Sequence, residues 1–134
     1  MIPISKSIDL ALLLIRVIFG SFMIYGHGWR KLLRLFGDEP IQFADPFGLG
    51  PVPSLALAVF AEVLCAFLII IGLGTRFATI PLIITMLVAA FIANAGQPFG
   101  EKELALVYLF AFAALAIAGP GWYSVDAQLV KKKV

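Results

Sequence analysis

Four apolar stretches, each long enough to cross a bilayer, occupy most of this 134-residue chain, at about 8–27, 55–73, 77–95 and 101–118. A helix needs about 20 residues to cross a hydrocarbon core of ~30 Å. In lipid every backbone polar group must be satisfied within its own segment, so such stretches fold as helices. Hydrophobic residues make up 62% and charged residues 13%, against about 45–50% and about 25% in a soluble domain. The mean hydropathy is +1.04. A soluble globule is excluded. The expected fold is all-α, an integral membrane four-helix transmembrane bundle formed by a single domain over residues 1–134.

The first stretch continues past His27 into an amphipathic extension, about 28–36, with bases at Arg30, Lys31 and Arg34. That pattern suits a helix end lying at the membrane interface. Lys6 ahead of an apolar run resembles a signal peptide. However, the run is too long, Arg16 interrupts it, and Tyr25-Gly26-His27-Gly28 is not a small-x-small cleavage site, so retention is expected. The linker from Asp38 to Ser54 contains Pro40, Pro46, Pro51 and Pro53, a density that argues against helix there. Its Phe43, Phe47 and Leu49 predict a loop folded back on the bundle mouth. Ser54 reads as the N-cap of the second helix.

Short connections after the second and third helices make neighbours antiparallel. Both termini then share one side. Lys6, Arg76 and Lys131, Lys132, Lys133 collect there, against Arg30, Lys31, Arg34 and Lys102 on the other. The excess of positive charge predicts cytoplasmic termini. The basic tail suits an anionic leaflet.

The single Cys65 excludes an intrachain disulfide. The single His27 leaves one chain without bis-His haem ligation or a His-rich metal site. No fingerprint for flavin, haem or metal is present. A net charge of +2 with no basic, aromatic-interleaved stripe argues against nucleic acid as a partner.

Two stretches carry one ion deep inside: Arg16 in the first and Glu62 in the second. A charge at that depth costs about 2.5–3.5 kcal/mol on insertion scales, so it faces a bundle interior and needs a partner. Arg16, Gly20, His27, Arg30 and Lys31 fall on one helical face. Asn94, Gln97, Glu101, Glu103 and Tyr108 gather toward the same mouth as Glu62. Arg16 lies about 16 Å and Glu62 about 11 Å from that mouth at 1.5 Å per residue, within reach of two long side chains. The lean of side chains toward their own helix N-terminus works against the pairing. Glu62 therefore meets Arg16 either directly or through water or His27. The pair is either structural glue between helices or part of a site. The candidate ligand-binding set is Arg16, His27, Arg30, Lys31, Glu62, Asn94, Gln97, Glu103 and Tyr108. Glu62 and His27 are its candidates for proton transfer.

The run His27-Gly28-Trp29-Arg30-Lys31-Leu32 resembles the HG-x-x-KL signature of DoxX-like membrane proteins. Phe43-Ala44-Asp45-Pro46-Phe47-Gly48-Leu49-Gly50 leading into Leu57-Ala58-Val59-Phe60-Ala61-Glu62 is similar to that family too. So are Gly72-Leu73-Gly74-Thr75-Arg76, Ile83-Ile84-Thr85-Met86-Leu87-Val88-Ala89 and Gly119-Pro120-Gly121-Trp122-Tyr123-Ser124-Val125-Asp126. The resemblance implies a four-helix bundle in a bacterial inner membrane and a link to quinone or oxidative-stress systems. It carries over no catalytic residue. Two functions are therefore expected to compete. One is a membrane component of a redox or quinone-handling system, binding quinone at the extracytoplasmic mouth beside a soluble redox partner. The other is a non-enzymatic scaffold, assembly factor or small-solute permeation protein, which would function as a homo-oligomer if it formed a pathway.

Overall fold

The computed structural model describes residues 4–43 and 45–133, and only the backbone of residues 132 and 133. Ala44 of the loop motif and the side chains of the tail lysines Lys132 and Lys133 thus lie outside the described residues. The described residues form five helices: α1, Ile4–Leu35; α2, Pro51–Ile71; α3, Thr75–Ala93; α4, Phe99–Ala118; and α5, Val125–Lys133. The first three are long and apolar enough to cross a membrane. In α4 the charges Glu101, Lys102 and Glu103 lie within the first five residues, and the rest is apolar apart from the Tyr108 hydroxyl. Helices α1 to α4 pack in sequence order, and α4 closes back on α1. The fold is the expected four-helix membrane bundle.

Its core mixes small side chains, Ala61, Cys65, Ala66 and Ala78, with the larger Leu82, Phe112 and Leu115. Small residues let backbones approach closely where hydrophobic burial from water cannot drive association. The outer faces are apolar as well. Phe77 and Ile117 are each 81% exposed, which fits contact with lipid rather than water.

Helix α1 runs through His27 without a break. The predicted interfacial extension is its last turns, reached through a π-helical turn at Ile24–Gly28. Helix α2 begins three residues before the expected N-cap. Pro51 and Pro53 sit in its first turn, where a backbone N–H has no intrahelical partner and proline costs little. Proline density in the linker thus marks a helix start as well as a loop. Pro81 is the seventh residue of α3, in its second turn. The helix end at Gly72 has φ +76°, the left-handed conformation that closes a helix with glycine. The amides of Gly72 and Leu73 turn back to the carbonyls of Ile69 and Leu68.

The sequence pattern did not suggest α5. Ser124 starts it, accepting from the amide of Ala127 at 3.1 Å, a standard N-cap bond.

Candidate functional site

Two polar centres lie at opposite ends of the bundle, and Arg16 belongs to the one at the terminal end. Its side chain leans toward the N-terminus of α1 and reaches the last turn of α2. There Nε donates to the Ile69 carbonyl at 3.0 Å and Nη2 to that of Ile70 at 2.9 Å. Nη1 donates to the carbonyls of Pro120 and Tyr123, each at 2.9 Å. Four of its five N–H groups are thus spent on backbone. Carbonyls at a helix C-terminus carry partial negative charge, so a buried cation is stabilised there. Asp126 completes the cluster. Its two oxygens accept from the amides of Gly74 at 2.8 Å and Thr75 at 3.0 Å, capping the start of α3. Asp9 accepts from the Trp122 amide at 3.0 Å.

This arrangement corrects the expected Arg16–Glu62 contact. Ile69 lies seven residues beyond Glu62 on α2, about 10 Å along the axis, and Arg16 bends away from Glu62. Arg16 therefore leaves the candidate ligand-binding set. Polarity is not confined to one mouth, because the Gly72–Thr75 and Gly119–Asp126 motifs converge on a second buried cluster around Arg16.

Glu62 pairs with Lys31 instead. Lys31 Nζ lies 2.8 Å from Oε1 and 2.6 Å from Oε2. The Glu62 side chain is 1% exposed and that of Lys31 is 24% exposed. Gly28 makes the pairing possible. A Cβ there would sit 2.6 Å from the Glu62 carbonyl oxygen, so only glycine allows α1 and α2 to cross at that level. Both helices are π-helical at the crossing, over Ile24–Gly28 and Phe60–Cys65, and α3 is π-helical over Ala89–Ala93. Such turns give up regular hydrogen bonding and recur at functional sites.

Lys31 also heads an apolar cavity of about 440 Å³. One wall is α2, with Leu57, Ala58 and Ala61. The other is α3, from Pro81 to Ala93. Phe43, Pro46 and Phe47 roof it, as expected of a linker folded back on the mouth. Asp45 staples the roof. Its oxygens accept from the amides of Leu49 and Gly50 at 2.8 and 2.9 Å and from the Ser54 hydroxyl at 3.0 Å. The Gly50 amide, foremost among these donors, holds the Asp45 carboxyl below its ordinary pKa. Lys31 and Arg34 flank the Phe43 ring, 5.7 and 5.9 Å from its centroid, within cation–π range.

Over residues 11–95 the chain matches the family model named DoxX. The chain belongs to the DoxX family. The matched region holds both the Lys31–Glu62 pair and the cavity, whereas the Asp126 cap lies beyond it. The chain is also 31% identical over 119 residues to a Haemophilus influenzae protein described only as an uncharacterized protein, covering 84% of this chain and 86% of that one. No solved structure matches.

The remaining candidate residues of this DoxX protein scatter around the mouth. His27 packs edge-on against Tyr108, ring centroids 5.6 Å apart, and Tyr108 stacks in turn on Phe112. Both thus sit on the α1–α4 side. Arg30 donates to the Gly26 carbonyl one turn back. Asn94 Nδ2 donates to the Ala89 carbonyl at 2.8 Å. Gln97 and Glu103 are exposed. Of the nine candidates, the structure brings Lys31 and Glu62 together at the cavity, and Lys31 alone lines it. Sequence reasoning missed Pro81, Thr85 and Ala89 as lining, because no charge marks them and the one hydroxyl, on Thr85, is spent within its own helix. Asp45 had a readable signal: a carboxylate followed by Gly48, Gly50 and Ser54 is the pattern of a side chain capping turn amides.

Proposed function

We propose that this DoxX protein is a membrane component of a redox or quinone-handling system and binds quinone in the cavity headed by Lys31. The observation that carries the reading is the Lys31–Glu62 pair at the polar end of an otherwise apolar cavity of about 440 Å³. That volume falls within the range of about 300–1,000 Å³ for small-molecule sites, and apolar walls with one placed polar group match their usual composition. Two of the three Lys31 hydrogens go to Glu62, leaving one for a ligand carbonyl. The loop mouth would face the extracytoplasmic side of a bacterial inner membrane, as the charge bias suggests, with the termini cytoplasmic. Electrons would come from a soluble redox partner.

The test is saturable binding of a benzoquinone to purified protein in lipid nanodiscs, compared with Lys31→Met. Loss of binding in the variant, with the bundle still folded by circular dichroism, supports the reading. Equal binding in both proteins overturns it.

A second reading, a non-enzymatic scaffold, draws on Arg16, whose four carbonyl bonds make a deeply buried charge wholly structural. Under that reading quinone leaves the melting temperature unchanged.

A further inference from the structure

We infer that the cavity is a lengthwise groove for a chain-bearing quinone, its ring under the roof at Lys31 and its tail running down between α2 and α3, loaded sideways from the bilayer. This deepens the quinone reading and rests on it. The lining on α3 extends from Ala93 to Pro81, twelve residues or about 18 Å along the helix. That is far longer than a ring alone requires.

The polar groups of the lining are arranged asymmetrically. Ser54 spends its hydroxyl on Asp45 at 3.0 Å. Thr85 spends its own on the Pro81 carbonyl at 2.7 Å. Among the described lining residues, Lys31 therefore carries the side-chain donor with hydrogen to spare, and it sits at one end. Its charge is already matched by Glu62, so the fitting head is a neutral carbonyl rather than an acid. Below that point the walls offer no free side-chain donor, as suits a hydrocarbon tail.

Access follows from exposure. Phe43, Pro46 and Phe47 cover the mouth, while Leu57, Phe60 and Ile84 along the groove are each about half exposed on the outer face of the bundle. A tail can slide between α2 and α3 from the lipid without crossing water.

The test uses two photoreactive quinones in phosphatidylcholine nanodiscs, with labelled positions mapped by mass spectrometry. One carries a diazirine beside the ring. The other carries it at the end of a decyl tail. The ring probe is expected to label Phe43–Phe47, outside Ala44, and the tail probe Pro81–Thr85. Both signals fall about tenfold when unlabelled decyl-quinone is added at about ten times its Kd, by mass action. Thr85→Phe fills the lower groove and removes the tail signal while sparing the ring signal. Ile84→Trp serves the same purpose should Thr85→Phe not fold. Saturable ring labelling with a tail signal that is unsaturable, or spread around the bundle, overturns the groove and leaves the quinone site standing. No saturable labelling by either probe overturns both.

Discussion

Lys31 and Glu62 form an ion pair, Nζ 2.6 Å from Oε2, beside the close crossing of α1 and α2 at Gly28. The pair stands at the loop end of the membrane span, and its buried member is the carboxylate. Charge placement of this kind is costly unless each ion is matched. That cost ties the stability of the bundle to the site at the head of the groove.

Lys31→Met should therefore destabilise more than the loss of one surface ion would. Removing one partner of a buried pair costs about 3–5 kcal/mol. The partial exposure of Lys31 places the expected loss near the lower end, at about 3 kcal/mol. Adding Glu62→Leu should recover most of it, since an apolar pair leaves no uncompensated charge. Denaturant unfolding in micelles, run as a double-mutant cycle, measures both steps. Additive losses would contradict the pairing.

Arg16 should separate from the site in a functional assay. Arg16→Lys cannot reproduce the fork that serves Ile69, Ile70, Pro120 and Tyr123. A hydrogen bond to a charged group contributes about 1.5–3 kcal/mol, so the loss of one or two should lower stability by about 2 kcal/mol or more. Hydrogen exchange should rise first across residues 119–131, which Arg16 ties to α2. Quinone affinity measured on the folded fraction should stay at the wild-type level.

Gly28→Ala tests the helix crossing. The new methyl would meet the Glu62 carbonyl oxygen at 2.6 Å, and backbone cannot rotate aside as a side chain can. Overpacking of this kind costs about 1–3 kcal/mol. The variant should also draw Lys31 away from Glu62, so quinone binding weakens along with thermal stability. Gly26→Ala, where a Cβ meets nothing within 4 Å, is the control and should leave both unchanged.

The roof should open in acid. The Asp45 carboxyl lies below its ordinary value of 3.8, chiefly through the Gly50 amide. A lowered folded-state value means that the staple is fully formed above the unfolded pKa and is lost as pH falls through the folded one. Limited proteolysis within residues 46–50 should therefore be slow from neutral pH down to about pH 5 and accelerate below the ordinary carboxylate range. Asp45→Asn should cleave faster at neutral pH and lose that acid dependence.

The helices were legible because their signal is local. Lipid demands long apolar segments, and glycine at Gly72 or Gly119 ends them wherever the tertiary contacts fall. The lean of side chains toward the helix N-terminus already set Arg16 and Glu62 apart, and the structure follows that lean. Lys31 was on the correct helical face but was one of several bases there. Only the Gly28 crossing singles it out as the partner of Glu62. The short C-terminal helix is not legible because its nine residues mix apolar and polar groups without a long apolar run and end in lysines, and it is held by Ser124, Asp126 and Arg16.

Residue order alone determined that this chain lives in a bilayer, that it folds as apolar helices, and that ions within it need company. Hydropathy and helix periodicity act over a few turns and require no knowledge of neighbours. Which ion meets which was decided by tertiary structure. A partner is chosen by where helices cross and which way side chains lean, and those depend on residues as far apart as Arg16 and Tyr123, or Lys31 and Glu62.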